Sequence, residues 1–262
     1  MAKEKQPKYS VVIPTYNEAG KEKEMKEHLE SIKNYFEKKG WSYEIVVALD
    51  GPTDGTPELV KKHSKDNKNV RILDRKVNHG KGYTLREGLL AAQGERRMFT
   101  DMDGATAINM LDRLIPKMDQ GADYVIGSRD LNDSEITQHQ PFWKEWFGDA
   151  ANLLIQFVGG LWGIKDTQCG FKLFTEEFVK DVFPRTLVDR WGIDFEVLAI
   201  GRRLGYKMDQ APVEWDDKGE SLVGVGGYGY LHTLRDLFNV RLNIIKGAYK
   251  LNKKVGEIKS KK

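Results

Sequence analysis

The chain has 262 residues, 40% of them hydrophobic and 31% charged, with a formal net charge of +3. This length can bury the core of one large α/β domain, and the charge is too small to indicate nucleic-acid binding by itself. The single cysteine, Cys169, excludes an internal disulfide and a cysteine-based zinc cluster, so we expect a reducing compartment. The N-terminus lacks an apolar signal-peptide core, and no stretch reaches the roughly 18 apolar residues of a spanning helix. We therefore expect no signal peptide and no transmembrane helix.

The first half of the chain alternates between strand and helix patterns. Apolar runs predict strands at 9–14, 43–49, 69–74, 96–101 and 123–128, and helical spacing predicts helices at 22–39, 56–66, 81–94 and 107–121. Gly40 ends the first helix as its C-cap, Pro57 takes the first helical position of the second, and Pro116 disturbs the last turn of the fourth. This alternation predicts an α/β fold with a mostly parallel, Rossmann-like central sheet and helices on both faces.

The second half is less regular. We predict a helix at 142–163, a short strand and a helix within 172–183, a helix at 193–204 and a strand at 207–215 that Pro212 places near a sheet edge. The glycine-rich segment 219–230 is a candidate lid, and 231–250 is a long amphipathic helix. Because neither a repeat nor a long linker is visible, we expect a disordered 1–8, a single domain over 9–250 and a lysine-rich tail at 251–262.

Two carboxylates, Asp101 and Asp103, follow the fourth predicted strand in the segment "DMDGAT". Residues two apart in an extended segment face the same side, and two like charges there are unfavourable unless a cation joins them. Mg²⁺ and Mn²⁺ suit one or two carboxylates plus substrate phosphates. A salt bridge or a turn would also account for the pair, but ligands of parallel sheets bind beyond the carboxyl ends of the strands. The position therefore favours a divalent cation.

Three other loops follow strands and carry polar residues. Glu18 lies after the first strand and Asp50 ends the second, where carboxylates can accept hydrogen bonds from a nucleoside. The segment "NHGKG" leads into a helix N-terminus, where free N–H groups and Lys81 would favour a phosphate. A capped turn at Asp50 and an exposed surface lysine at Lys81 are the alternatives.

Four motifs together resemble the inverting glycosyltransferases of family 2, which have a GT-A fold. They are "VVIPTYNE", "LDGPTDGT", "NHGKGYTLREG" and "DMDGAT", in that order. The second motif usually begins with two aspartates, but Leu49 takes the first position here, so base recognition would depend on Asp50 alone. "GSRD", "DTQCGFKLF", "RWGIDFEVL" and "APVEW" are similar to the subgroup that loads one sugar onto polyprenyl phosphate, the dolichyl-phosphate β-glucosyltransferases among them. The resemblance covers residues 9 to about 250.

The resemblance implies a role for each matching residue. The catalytic group would be Asp101, Asp103, Arg129 and Asp166, and the metal ligands would be Asp101, Asp103 and Gln168. The donor contacts would be Pro14, Thr15, Tyr16, Glu18, Asp50, Gly51, Lys81, Asp101 and Met102. Arg129, Asp194 and Glu196 would face the acceptor, with helix capping and surface charge as the alternative for the two acids. Cys169 is interpreted as a buried filler, and Trp191 and Trp215 as packing residues.

The resemblance also implies the reaction. Residues 9–130 would bind the nucleotide sugar, and 131–250 would bind the acceptor and supply interfacial helices. The expected enzyme moves a hexose, with glucose from UDP-glucose favoured, to dolichyl or another polyprenyl phosphate, using Mn²⁺ or Mg²⁺. We expect a cytoplasmic protein in peripheral contact with the cytoplasmic face of a membrane, and no nucleic-acid partner.

Three alternatives remain beside this expectation. A GDP-mannose-dependent polyprenyl-phosphate mannosyltransferase would share the fold, and a non-catalytic nucleotide-sugar-binding module would share the donor site. A dinucleotide-dependent dehydrogenase would need Gly-x-Gly-x-x-Gly after the first strand, and "TYNEAG" lacks that pattern.

Overall fold

The structure is a computed structural model, and it describes residues 6–136, 152–216 and 228–250. Most of the candidate lid at 219–230, the tail at 251–262, residues 1–5 and the first part of the helix predicted at 142–163 lie outside the described residues.

The described strands form one large sheet and one small one. They are β1 (Tyr9–Thr15), β2 (Tyr43–Asp50), β3 (Val70–Arg75), β4 (Arg96–Phe99), β5 (Tyr124–Ser128), β6 (Glu135–Ile136), β7 (Lys172–Thr175), β8 (Met208–Pro212) and β9 (Glu214–Trp215). The large sheet has seven strands in the order β3-β2-β1-β4-β7-β5-β8, and β6 pairs with β9. Pairing is parallel except that β7 runs antiparallel to both of its neighbours.

Helices cover both faces of the large sheet. They are α1 (Glu22–Lys39), α2 (Thr56–Ser64), α3 (Lys81–Ala91), α4 (Leu111–Asp119), α5 (152–159), α6 (Glu176–Val182), α7 (Ile193–Arg203) and α8 (Tyr228–Ile245). The expected C-cap is confirmed, because Gly40 adopts a left-handed conformation and its N–H donates to the last turn of α1. None of the described helices combines the length and the apolar composition that crossing a bilayer requires.

The strand period of two divides the core between the two faces. Val12 packs with residues of α3, α5, α6, α7 and α8, whereas Val11 and Ile13 pack with residues of α1, α2 and α4. Burial on both faces explains why the strands read as continuous apolar runs in the sequence. The predicted α/β class and the mostly parallel sheet are therefore confirmed.

Three details differ from the prediction. Strand β7 enters between β4 and β5, an antiparallel insertion that local pattern does not reveal, since long-range pairing decides strand order. Residues 7 and 8 are hydrogen-bonded to Glu95, Arg96 and Ser42, so the ordered chain begins before residue 9. The fourth helix is shorter than predicted, because a 3₁₀ turn at Ile108–Met110 precedes α4. The edge position predicted for Pro212 is confirmed, since β8 is the last strand of the sheet.

Candidate active site

The loops after β1 and β2 are joined to each other at the carboxyl edge of the sheet. The side-chain oxygen of Asn17 accepts the Thr53 N–H at 2.8 Å, and the hydroxyl of Thr56 accepts the Glu18 N–H at 2.7 Å. Asn17 has a φ of 51°, a left-handed conformation that asparagine tolerates better than most residues. The two loops therefore present one shared surface beside the ends of β1 and β2.

Asp50, at the end of β2, holds the turn that precedes α3. Its carboxylate accepts hydrogen bonds from the Asn78 side chain and from the N–H groups of His79 and Gly80, each at 2.9 Å. The next residue, Gly51, has a φ of 60° and lies so close to this turn that a Cβ would be 2.4 Å from the Val77 carbonyl carbon. Asp50 thus positions the turn that carries Lys81. Its contact with a nucleoside stays a prediction.

Lys81 is the first residue of α3 and lies beside the aspartate pair. Its ammonium is 2.6 Å from a carboxylate oxygen of Asp101, and its side chain is 13% exposed against 39% for Asp101. Asp103 accepts the N–H of Ala105 at 3.0 Å, which closes the turn after β4. Lys81, Asp101 and Asp103 are therefore brought together at the carboxyl edge of the sheet, where the sequence analysis placed the loops that carry them.

The charges in this group shift one another's pKa. Burial and the nearby charge of Asp101 raise the pKa of Asp103 above its usual value. Burial also raises the pKa of Glu18, where the charges of Asp103 and Asp101 add to the effect despite the opposing Lys21. Burial alone would lower the pKa of Lys81, but the charges of Asp101 and Asp194 outweigh it and the pKa is raised. The site is thus rich in carboxylate charge that an added cation would relieve.

The loop before β7 packs directly onto Asp101. A Cβ on Gly170 would lie 2.1 Å from a carboxylate oxygen of Asp101, so only glycine permits this approach. Gln168, two residues earlier, is exposed and donates its backbone N–H to Asp166 at 3.1 Å. The structure therefore places the predicted third metal ligand on a loop that contacts the aspartates. Its ligation of a metal stays a prediction.

The residues present fit a divalent cation whose coordination is completed by substrate. Within 6–136, 152–216 and 228–250, no three histidine, cysteine or acidic side chains are grouped closely enough to hold a metal by themselves. Two carboxylates do converge, and burial together with the charge of Asp101 raises the pKa of Asp103. Mg²⁺ is usually bound by one or two carboxylates plus substrate phosphates. The aspartate pair has this donor chemistry.

Arg129 and Asp166 form a clamp at the end of β5. Two guanidinium nitrogens of Arg129 donate to the two carboxylate oxygens of Asp166 at 2.6 and 3.0 Å. The charge of Arg129 outweighs the effect of burial and lowers the pKa of Asp166. Trp215 packs over the guanidinium, with 5.2 Å between group and ring centroid. In this conformation Arg129 fastens the 166–170 loop, and its contact with a phosphate stays a prediction.

Cys169 lies in the same loop and is buried, which confirms the expected packing role. Burial, with the neighbouring charge of Asp166, raises the pKa of its thiol to about 12. A thiol held in its protonated form is a poor nucleophile, which agrees with a packing role for Cys169.

Lys172 is a functional candidate that the sequence reasoning missed. Its ammonium donates to Asp194 and to the Cys169 carbonyl, both at 2.5 Å, and the side chains of Lys172 and Asp194 are 1% and 5% exposed. The missed signal was a lysine inside the apolar strand "GFKLF", because a buried charge requires a partner. Asp194 is therefore buried, which corrects the surface-charge alternative, and its charge also acts on Lys81.

Glu196 contradicts its predicted role at the acceptor. It is fully buried, and it accepts the N–H groups of Leu187 and Val188 and the hydroxyl of Tyr249. Burial raises its pKa to about 7 despite these hydrogen bonds. With its carboxylate used inside the protein, Glu196 positions the 187–188 segment and does not reach a ligand. The surface-charge alternative is wrong for the same reason.

Other predicted donor contacts lie at the same edge with different exposure. Pro14 and Thr15 end strand β1, and Tyr16 follows them with 38% of its surface exposed. Met102 is buried among core residues that pack with α1 and α4, which corrects its side chain from a ligand contact to a packing residue.

The N-terminus of α3 is only partly free for an anion. The N–H of Tyr83 donates to the carbonyl of Asp189 at 3.1 Å, so one of the groups expected to face a phosphate is already used. The ring of Trp191 lies 5.2 Å from the Lys81 ammonium. This part of the 187–192 segment therefore borders Lys81.

Comparisons with known proteins agree with this geometry. The family model described as "Glycosyl transferase family 2" matches residues 10–183. Dolichyl-phosphate beta-glucosyltransferase ALG5A of Trichomonas vaginalis is 36% identical over 252 residues, which cover 92% of this chain and 75% of that protein. The dolichyl-phosphate beta-glucosyltransferase of Homo sapiens is 30% identical over 256 residues, covering 92% of this chain and 77% of that protein.

Solved structures with the same fold are more distant in sequence. Glucosyl-3-phosphoglycerate synthase from Mycobacterium tuberculosis, crystallised with Mn²⁺, UDP and phosphoglyceric acid, has a TM-score of 0.67 at 19% identity, covering 90% of this chain and 78% of that chain. Mannosyl-3-phosphoglycerate synthase from Rubrobacter xylanophilus has a TM-score of 0.67 at 14% identity, covering 94% of this chain and 76% of that chain. These likenesses show the GT-A fold. Taken with the match over residues 10–183, the loop geometry leads to one conclusion: the chain belongs to glycosyl transferase family 2.

Proposed function

We propose that this protein transfers glucose from UDP-glucose to dolichyl or another polyprenyl phosphate, with inversion at the anomeric carbon. The observation that carries the proposal is the grouping of Lys81, Asp101 and Asp103 at the carboxyl edge of the sheet, in a chain whose relatives are dolichyl-phosphate beta-glucosyltransferases. The positive charge of Lys81 is complementary to a diphosphate, and the negative charges of the two aspartates are complementary to a divalent cation.

The donor binds along the joined loops. Asp50 keeps the turn before α3 in place, and Lys81 supplies a positive charge where negative charge builds on the departing diphosphate. Glu18, on the loop after β1, faces the nucleoside side. When the diphosphate arrives, the Lys81 ammonium exchanges its Asp101 partner for a phosphate oxygen.

A divalent cation fits this arrangement, with Asp101 and Asp103 holding it and Gln168 on the adjoining loop. Bound there, it supplies Lewis-acid stabilisation of the leaving diphosphate. Binding of the cation would remove the repulsion between the two aspartates. Gly170 lets its loop approach Asp101 without a steric clash.

The acceptor chemistry makes a strong general base unnecessary. A phosphate monoester has a second pKa of about 6, so its oxygen is already a nucleophile at neutral pH. Lys172 is paired with Asp194 in the interior, and the charge of Asp194 also acts on Lys81.

We further propose peripheral contact with the cytoplasmic face of a membrane. The exposed residues Leu153, Phe157 and Trp162 lie on and after α5, and Leu231, Phe238, Leu242 and Ile245 lie on α8. Exposed apolar side chains in such numbers on neighbouring elements are typical of an interfacial surface.

The test is a transfer assay with purified protein, radiolabelled UDP-glucose or GDP-mannose, and a short polyprenyl phosphate, with Mn²⁺ or EDTA. We expect transfer from UDP-glucose, loss with EDTA and little transfer from GDP-mannose. Preferred use of GDP-mannose would replace the proposal with a mannosyltransferase. Tight UDP-glucose binding without turnover on any polyprenyl phosphate would favour a non-catalytic binding module.

A further inference from the structure

The backbone of residues 188–190 packs against the start of α3, and we refer to it as the 188–190 wall. A Cβ on Gly80 would lie 2.4 Å from the Asp189 carbonyl oxygen, and a Cβ on Gly82 would lie 2.6 Å from another carbonyl oxygen of the wall. So close an approach is possible because neither position carries a side chain. Lys81 lies between these two glycines in the chain, so the position of its backbone depends on the position of the wall.

Further contacts fasten the wall to α3. The Asp189 carbonyl accepts the N–H of Tyr83 at 3.1 Å, and the Asp189 carboxylate accepts a guanidinium N–H of Arg86 at 2.9 Å. Directly after the wall, the ring of Trp191 lies 5.2 Å from the Lys81 ammonium. A shift of the wall would therefore displace both the backbone of Lys81 and the surroundings of its charged end.

Glu196, in the first turn of α7, holds the chain where the wall begins. Its carboxylate accepts the N–H of Leu187 at 2.9 Å and the N–H of Val188 at 3.1 Å. The hydroxyl of Tyr249 donates to the same carboxylate at 2.7 Å. Glu196 and Tyr249 are both buried, so these hydrogen bonds are shielded from water. One carboxylate therefore ties the wall to Tyr249.

Tyr249 belongs to the turn that follows α8. Gly247 has a φ of 68°, a left-handed conformation that commonly ends a helix and that lets the chain turn back here. The Arg185 guanidinium donates to the Tyr249 carbonyl at 3.1 Å, which fixes the backbone of the tyrosine. The end of α8 is thus connected to Lys81 through Tyr249, Glu196 and the wall.

We propose that Glu196 and Tyr249 are positioning residues for donor binding, because their hydrogen bonds set the 188–190 wall and the wall sets Lys81. The inference rests on the proposed function, since it takes Lys81 as the residue that meets the donor diphosphate. Both side chains act from the interior, through the wall, and not on the ligand. A displacement of about 1 Å near reacting groups can cost about a hundredfold in rate, so a small movement of the wall is sufficient.

The experiment measures UDP-glucose binding to the full chain by isothermal titration calorimetry, with Mn²⁺ present and no acceptor. Tyr249→Phe should weaken binding by about threefold to tenfold, because the Glu196 carboxylate loses one of its three donors and holds the wall less firmly. Glu196→Gln should weaken binding by about tenfold or more, because its amide NH₂ is a donor and would face a backbone N–H that is also a donor.

Tyr206→Phe is the matched control. It also removes a buried hydroxyl that donates to a carboxylate, that of Asp181 at 2.9 Å, but it leaves the hydrogen bonds of Glu196 intact. Both tyrosine variants should unfold at slightly lower temperatures than the wild type, because each loses one hydrogen bond. UDP-glucose affinity should fall in Tyr249→Phe and stay within about twofold in Tyr206→Phe, which separates positioning from a general loss of stability.

The route through Lys81 is tested by adding Tyr249→Phe to Lys81→Met. In that background the tyrosine change should alter UDP-glucose affinity by less than about twofold, because the side chain that it positions is absent. Losses that add in full would overturn the route through Lys81. Wild-type affinity in both Tyr249→Phe and Glu196→Gln, or an equal loss in Tyr206→Phe, would overturn the positioning role itself.

Turnover separates the inference from the proposed function. UDP-glucose binding with the expected variant pattern, but without transfer to any polyprenyl phosphate, would sustain the inference while the proposed function fails. Transfer by the wild type, with unaltered donor affinity in Tyr249→Phe and Glu196→Gln, would do the reverse.

Discussion

The ammonium of Lys81 lies 2.6 Å from a carboxylate oxygen of Asp101, so one cation already occupies the edge where a divalent metal is proposed to bind. Lys81 is the first residue of α3 and Asp101 follows β4, so the pair joins two loops that are 20 residues apart in the sequence. In the proposed reaction Lys81 therefore has two partners in succession, Asp101 before the donor arrives and a diphosphate oxygen afterwards. Before the donor arrives, the Lys81 ammonium should oppose metal binding. After the donor has bound, the same ammonium should stabilise the diphosphate.

Lys81→Met tests this exchange. Without nucleotide, the variant should bind Mn²⁺ about tenfold more tightly, because a positive charge that repels the metal is gone. With UDP-glucose, transfer should fall by about a hundredfold or more, because the diphosphate loses a stabilising charge. Metal titration by electron paramagnetic resonance and a transfer assay measure the two effects.

Lys61→Met is the matched control, since Lys61 is an exposed lysine of α2 away from the aspartates. It should leave both quantities unchanged. Weaker Mn²⁺ binding by nucleotide-free Lys81→Met would show that the ammonium supports the metal site, which contradicts the exchange.

Asp103→Asn should make the metal-free protein more stable and the enzyme less active. The raised pKa of Asp103 means that the folded protein binds its proton more tightly than the unfolded chain. Ionised Asp103 therefore destabilises the folded protein. This destabilisation is absent below the pKa of the unfolded chain, and it develops as the pH rises through the pKa of the folded protein. At neutral pH without metal, the variant should unfold at a higher temperature and lose transfer by about a hundredfold or more. Calorimetry without metal and the transfer assay check this, and a lower unfolding temperature would refute the repulsion.

The local sequence pattern correctly predicted which loop residues meet at the carboxyl edge of the sheet. It did not predict the order of the strands within the sheet. The period-two runs and the polar loops after them were sufficient to bring Lys81, Asp101 and Asp103 together, because parallel strands end at one edge. The sequence did not predict the place of β7 between β4 and β5, since strand order depends on contacts distant in the chain. The Lys172–Asp194 pair, formed across that insertion, was missed with it.

The same limitation explains the errors at Glu196 and Met102. A carboxylate in a helical segment is usually exposed, and only the tertiary packing of Tyr249 and the 187–188 segment reveals that Glu196 is buried. Met102 lies between Asp101 and Asp103 in the sequence, but its side chain is buried in the core. Adjacency in sequence to Asp101 and Asp103 therefore does not place the Met102 side chain on the same surface.

Lys172→Met should destabilise the fold strongly. Removing one member of a buried ion pair leaves an uncompensated charge on Asp194, at a cost of about 3–5 kcal/mol in the free energy of unfolding. The double variant Lys172→Met with Asp194→Asn should recover a large part of this loss, because no buried charge remains. Urea unfolding of the wild type, both single variants and the double variant measures the coupling. Additive losses in the double variant would contradict a paired charge.

Glu196 should give the folded protein a pH-dependent stability between about pH 4.5 and 7. Its pKa is about 7 in the folded state against an ordinary value of 4.5, so the folded protein binds the proton more tightly. The stabilising contribution is fully present below the lower value and is lost as the pH rises to the upper one, by up to about 3 kcal/mol. Glu196→Gln should lack this slope. Urea unfolding of both proteins across this range provides the difference, and parallel stability curves would refute the assignment.

The apolar stripe of α8 should carry membrane contact. Phe238 and Leu242 are 53% and 48% exposed on one face of the helix, and burying such side chains in the interface contributes about 1.5–3 kcal/mol each at most. Replacing both by serine should lower partitioning onto vesicles by about tenfold or more, measured by co-sedimentation with liposomes that contain anionic lipid. Leu90→Ser changes an exposed leucine of α3 and should bind like the wild type. Since the donor loops lie at the sheet edge and not on α8, transfer to a detergent-dispersed acceptor should suffer less than transfer to one in vesicles. Equal partitioning of the double variant and the wild type would remove α8 from the membrane contact and leave α5 as the remaining candidate.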